Sequence, residues 1–250
     1  MNLIPRLSNQ AEFTFELSLV EGTNGFNGSL SLPSIISDIS TLPIYVADGF
    51  STSDIGQTIT KVISGMTLPI LEELKMESQE YPNLLLPWPR RQFLALSARS
   101  SFPTHLRALQ LYHWVFMEAE LLECLYSLPR LEGLAISDHQ LTTDGGVNQL
   151  LLTDSLFSQL TAAPESPYPV PCLRFLGCFK LSLVQFDDQV YLDFLVSRLG
   201  PRHPVAVPFE NRVYWLPEHH RELDPKVAAR IEKLRGENAV VFSYAEAYAG

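Results

Sequence analysis

His105-Leu106-Arg107-Ala108-Leu109-Gln110-Leu111 decides how this chain is read. Its leucines follow Leu-x-x-Leu-x-Leu, and the spacing returns as Leu71-x-x-Leu74-x-Met76, Leu131-x-x-Leu134-x-Ile136 and Leu173-x-x-Leu176-x-Cys178. Just before each phrase stands an apolar-proline pair: Leu68-Pro69, Phe102-Pro103, Leu128-Pro129 and Val170-Pro171. Ten residues after each first leucine the chain places another apolar side chain, Tyr81, Phe116, Leu141 or Leu183.

This is the strand signature of a leucine-rich repeat. The phrases begin at 71, 106, 131 and 173, intervals of 35, 25 and 42 residues, whereas regular repeats run at about 20 to 29. Insertions are therefore expected on the loops, the largest at Glu77 to Thr104 and another at Ala162 to Pro171. The eighth position carries Gln79, Trp114, His139 and Leu181 where the common pattern has Asn or Cys, so the repeats are degenerate.

A short strand cannot cover its own apolar face, and a helix on the return path closes the unit. Helices are expected where caps precede apolar stripes. Asp54 precedes Ile55, Ile59, Val62 and Ile63. Leu121, Leu122, Leu125 and Leu128 share a face that stops at Pro129. Asp154 precedes Leu156, Phe157 and Leu160, and Asp187 precedes Val190, Tyr191, Phe194 and Leu195 as far as Gly200. Asp224-Pro225 and Gly236 bracket Val227, Ile231 and Leu234. Further strands are expected at Phe13 to Leu19, Ile44 to Val46, Val205 to Val207 and Val240 to Phe242, with a turn-rich loop at Gly22 to Ser29. The predicted fold is α/β, an irregular leucine-rich-repeat solenoid with short parallel strands on the concave face and helices on the convex face. Residues 1–40 form an N-terminal strand and turn-rich loop, and residues 41–250 form the repeat domain with a C-terminal capping repeat.

Composition agrees with a folded chain. Of its 250 residues 46% are hydrophobic and 18% charged, and the net charge is −10. That sign opposes phosphate backbones and anionic lipid, so neither nucleic acid nor membrane is an expected partner. No apolar run approaches the roughly 20 residues of a membrane-spanning helix. Met1 to Gln10 lacks the layout of a secretion signal, and three cysteines, Cys124, Cys172 and Cys178, do not make a disulfide framework. The expected location is intracellular, cytoplasm or nucleus.

Motifs that would carry chemistry are sparse. His219-His220 is flanked by Glu218 and Glu222, but adjacent side chains point apart, and a solvated turn is the simpler reading. Cys172 and Cys178 lie too far apart for a zinc knuckle, and Cys178 fills a leucine slot. Asp187-Asp188 reads as helix capping. No catalytic, metal-binding or cofactor-binding residue is assigned. The candidate surface is the strand face that the leucines do not use. It carries Glu73, Lys75 and Glu77 on one strand and Ala108, Gln110 and Tyr112 on the next. Gly133, Ala135 and Ser137 follow, then Phe175, Gly177 and Phe179. Glu73, Lys75, Tyr112, Trp114, Phe175 and Phe179 are the candidate partner-binding residues, because aromatic anchors beside small residues concentrate binding energy. The simpler reading of Phe175 and Phe179 is core, covered by the proline-rich insertion or a neighbouring loop.

The order of these blocks resembles the irregular leucine-rich-repeat region of fungal F-box proteins, from about Thr41 to Tyr244. It rests on Leu68-Pro69-Ile70-Leu71-Glu72-Glu73-Leu74, the phrase at 105–111, Leu128-Pro129-Arg130-Leu131-Glu132-Gly133-Leu134, Pro171-Cys172-Leu173-Arg174-Phe175-Leu176 and the segment ending Ser197-Arg198-Leu199-Gly200. The resemblance implies a non-enzymatic interaction module that holds a protein or peptide, as the substrate-recognition part of a ubiquitin-ligase subunit does. The first forty residues show no F-box pattern, so the ligase adaptor is an expected partner only if an F-box is encoded upstream. The other readings are a compact α/β enzyme such as a hydrolase, and a truncated, non-functional gene copy.

Overall fold

The structure is a computed structural model, and it describes residues 15–17, 35–46, 52–78, 86–137, 152–161, 168–181, 186–199, 208–215, 222–237 and 239–246. The chain divides into two compact units, Met1–Val115 and Phe116–Gly250. Each is an α/β arrangement of parallel strands and helices, with seven helices in all among the described residues.

The first unit runs β1 (Phe15–Leu17), β2 (Ile35–Ile36), β3 (Thr41–Val46), α1 (Thr52–Gly65), β4 (Met66–Thr67), β5 (Glu73–Ser78), β6 (Leu86–Pro87), α2 (Arg90–Arg99), α3 (Phe102–His105), β7 (Ala108–Tyr112) and β8 (Trp114–Val115). Strands β1, β3, β5 and β7 lie side by side in that order, all parallel. The first strand thus pairs with one beyond residue 40, across the boundary expected there. Register aligns the phrases: Leu42, Leu74 and Leu109 stand level, and Ile44, Met76 and Leu111 two residues on.

The second unit runs α4 (Glu118–Tyr126), β9 (Gly133–Ser137), α5 (Asp154–Leu160), β10 (Phe175–Leu181), α6 (Asp188–Ser197), β11 (Phe209–Trp215), α7 (Pro225–Gly236) and β12 (Val240–Glu246). Strands β9 to β12 are parallel neighbours in chain order. Helix α5 packs on α6, α6 on α7, and α7 on β12. Phe157, Phe186, Tyr191 and Phe194 form a buried aromatic cluster, and Phe194 meets Phe209 of β11 edge to face. All twelve phrase positions, from Leu71 to Cys178, are at most 1% exposed.

The apolar-proline pairs have a common geometry. In Leu68-Pro69-Ile70-Leu71, Leu128-Pro129-Arg130-Leu131 and Val170-Pro171-Cys172-Leu173 the first carbonyl accepts from the fourth N–H, at 3.2, 3.0 and 3.1 Å. Proline at the second place of such a turn arrives with φ already set. Phe102-Pro103 does the same job one residue longer, as the single turn α3, with Leu106 N–H bonded to Phe102 O at 3.0 Å.

Several expectations change. Glu77 to Thr104 is not a bare insertion, because it contains β6, α2 and α3, with Phe93, Leu96 and Phe102 in the core. Pro87 and Pro89 precede α2, where no helical hydrogen bond is lost to them. Helix α1 starts at Thr52, ahead of Asp54. Thr153, not Asp154, caps α5, its side chain accepting from Leu156 N–H. The caps Asp187 and Asp224 stand as expected. Strand β11 lies after the expected strand at 205–207. Residues 201–207, the loop 22–29 and residues 162–167 of the second insertion lie outside the described residues.

Candidate interaction faces

In the first unit, alternation along β3, β5 and β7 sends one set of side chains into the core and leaves the other half-exposed. The open set comes in rows: Thr41, Glu73, Ala108; then Pro43, Lys75, Gln110; then Tyr45, Glu77, Tyr112. The Lys75 ammonium lies 2.7 Å from Glu77 Oε2 and donates to the Tyr45 hydroxyl at 3.4 Å. It stands 5.0 Å from the Tyr45 ring centre and 5.5 Å from that of Tyr112. Partial burial works against this ammonium, but Glu77 and Tyr45 outweigh it and hold the pKa above the ordinary lysine value. Gln110 Nε2 donates to Glu73 Oε1 at 2.7 Å, and the Tyr112 hydroxyl donates to Gln110 Oε1 at 3.2 Å. Burial also raises the Tyr112 phenol, with Lys75 opposing and Glu77 and Glu73 adding to the rise.

In the second unit the corresponding rows run Gly133, Phe175, Glu210, Val241 and then Ala135, Gly177, Arg212, Ser243, of which Ala135 and Gly177 are buried, as is Ser137 further along β9. Gly177 is the floor under two rings. A Cβ there would lie 2.5 Å from Phe179 Cε2 and 3.0 Å from Phe175 Cζ, so only glycine lets both rings close over the strand. Phe179 stacks flat on Tyr214, with centres 5.0 Å apart and planes within 7°. The Arg212 guanidinium lies over Phe175 at 5.6 Å and pairs with Glu210, whose hydrogen bond raises the arginine pKa. Phe175, Phe179 and Tyr214 remain half-exposed and Val241 is 46% exposed.

The structure thus brings Glu73, Lys75 and Tyr112 together on one face and Phe175 with Phe179 on another. Trp114 is a correction. Alternation from Tyr112 would keep it on the open face, but His113 has a left-handed φ of 65° and turns the chain over. Trp114 is consequently 3% exposed, its indole N–H donating to Met76 O at 3.1 Å and its ring edge-on to Trp88. Tyr45, Arg212 and Tyr214 join the faces without having been singled out in the sequence. Register would have found Tyr45, since Ile44 to Val46 reads as a strand.

Cys124 and Cys178 are buried and Cys172 half-buried, and none of the three is in a disulfide. Asp187 accepts from Gln189 and Val190 N–H as the cap of α6. His139, His219 and His220 lie outside the described residues. Among the described residues no cluster of three or more His, Cys, Asp or Glu forms a metal-holding group, and no helix is long and apolar enough to cross a membrane.

Comparison of the chain with protein-family models, with curated proteins and with solved structures finds no match in any of the three.

Proposed function

We propose that the chain is an irregular leucine-rich-repeat solenoid, with its strands on the concave and its helices on the convex side. It acts as a non-enzymatic interaction module whose open strand faces hold a protein or peptide, as in the substrate-recognition region of the fungal F-box proteins it resembles. The observation that carries the reading is the recurrence of the same pair of bonds at three steps from strand to strand. Ser40 O accepts from Glu72 and Glu73 N–H, Glu72 O from Arg107 and Ala108 N–H, and Glu132 O from Arg174 and Phe175 N–H. In the second unit each helix's first acid reaches the cap of the next. Glu118 accepts from Thr153 and Ser155 hydroxyls, Asp154 from Asp187 N–H, and Asp188 from Asp224 N–H. Helix α7 itself opens with Pro225. An arginine clamp also occurs twice. Arg99 donates to Ile63 O and Met66 O, and Arg198 to Leu160 O and Val170 O, each tying the end of one helix to the last turn of the preceding helix and to the chain beyond it.

Site-specific photo-crosslinking tests the function. A benzophenone side chain at Tyr45 or Phe179, on the strand faces, is expected to trap discrete partners in cells, and one at Glu232, exposed on α7, is not. Equal trapping from all three positions refutes binding by the strand faces.

A further inference from the structure

The half-exposed group on β3, β5 and β7 has the composition of a cation cage. Two phenol rings face one ammonium at 5.0 and 5.5 Å, and a carboxylate closes the site at 2.7 Å. Ring faces and a carboxylate together favour a cation. The cage is also braced, because Glu73 holds Gln110 and Gln110 holds the Tyr112 hydroxyl. Its occupant, Lys75, belongs to the chain itself and hangs on a flexible four-carbon stem. We infer that Lys75 is a tethered stand-in, and that a partner segment bearing lysine or arginine binds this face by placing its own cation between Tyr45 and Tyr112 while Lys75 swings out to solvent. Charge complementarity selects that partner over an acidic or neutral one. Glu73 and Glu77 leave the face one negative charge in excess of Lys75, on a chain of net charge −10. The inference rests on the interaction-module reading and names the partner class for one of its faces.

The test uses the full chain and a fluorescent peptide of alternating lysine and serine, with a glutamate-serine peptide as the control. Lys75→Met removes the internal competitor and is expected to tighten lysine-peptide binding by about two- to fivefold, the range of one exposed cation–π contact. Adding Glu77→Gln or Tyr112→Leu to Lys75→Met reverses the gain, whereas Glu232→Gln on α7 leaves it intact. Near-ultraviolet circular dichroism establishes that each variant is folded. An independent readout needs no substitution: competitive acetylation of the wild-type protein is expected to label Lys75 faster when the lysine peptide is present. Unchanged affinity in Lys75→Met together with unchanged Lys75 labelling overturns the cage. Loss of binding in Glu232→Gln as large as in Glu77→Gln overturns it too, because the attraction is then diffuse. Partners still trapped by a benzophenone at Thr41, exposed on the same face of β3 and outside the cage, in Lys75→Met and Glu77→Gln, with no preference for basic peptides, overturn the cage while leaving the interaction module standing.

Discussion

Removing the Asp188 carboxylate should be the most damaging single change to the surface of the second unit. Asp188 opens α6 and is only 9% exposed. Its Oδ2 accepts from Asp224 N–H at 2.6 Å, so it links α6 to the cap of α7. A hydrogen bond to a charged group contributes about 1.5–3 kcal/mol, and a carboxylate in a helix's first turn adds about 0.3–1 kcal/mol. Asp188→Ala should therefore cost about 2–4 kcal/mol. Asp154→Ala removes the same kind of bond, to Asp187 N–H at 2.6 Å, but at an exposed position. Water replaces the lost partner there, and the cost falls to about 1 kcal/mol. Asp188→Asn keeps an acceptor oxygen and loses the charge, so it belongs between the two. Urea unfolding followed by far-ultraviolet circular dichroism gives the order, and exchange of the Asp224 amide reports the bond itself. A cost below about 0.5 kcal/mol for Asp188→Ala, or one no larger than for Asp154→Ala, would refute the claim that burial makes this bond count.

Leu109→Ala, in a fully buried phrase position of β7, should destabilise the first unit by about 2–5 kcal/mol in the same assay; a cost under 1 kcal/mol would mean the position is not packed core. Gly177→Ala should keep the fold but push the Phe175 and Phe179 rings aside, at about 1–3 kcal/mol and with an altered near-ultraviolet spectrum; an unchanged spectrum contradicts the ring-over-glycine geometry. Lys75 and Tyr112 both hold their protons more tightly folded than unfolded. Their contribution to stability is thus complete below the unfolded values and is lost as pH rises through the folded ones, so the first unit should weaken above about pH 10. Thermal unfolding of wild type against Lys75→Met/Tyr112→Phe across that range checks it, and parallel curves would refute it.

What was legible in the sequence was what depends on neighbours along the chain. A leucine spacing, a proline at the second place of a turn and an acid before an apolar stripe each act within a few residues, and β5, β7, β9, β10 and the later helices follow from them. Proline misled where it preceded a helix, which hid α2 inside an apparent insertion. Strand β11 escaped because Glu210, Asn211 and Arg212 interrupt its apolar pattern. Asn211 stands level with Leu176 in the sheet and is fully buried. It is satisfied there by the Tyr191 hydroxyl and by its own bond to Leu176 O at 3.0 Å, partners no local pattern announces. The faces were half legible for the same reason. Alternation found Lys75, Tyr112, Phe175 and Phe179, but not the reversal at His113 that takes Trp114 inside, nor the strand that brings Tyr214 to Phe179.

The irregular spacing of the leucine phrases hides a steadier period in the second unit. Helices α4, α5, α6 and α7 begin at 118, 154, 188 and 225, intervals of 36, 34 and 37 residues. The level strand positions Leu134, Leu176, Asn211 and Phe242 are separated by 42, 35 and 31. The scatter is shared by the two halves of each step, since the path from helix start to strand runs 16, 22 and 23 residues and the path on to the next start 20, 12 and 14, and a long first half is offset by a short second one between starts joined by the acid-to-cap bonds. A bond from the first residue of one helix to the cap of the next requires the two starts to be neighbours in space, and it sets no limit on where the strand falls between them. The leucine phrase marks β9 and β10, whereas the acids that open α4, α5 and α6 tie each of those helix starts to the next.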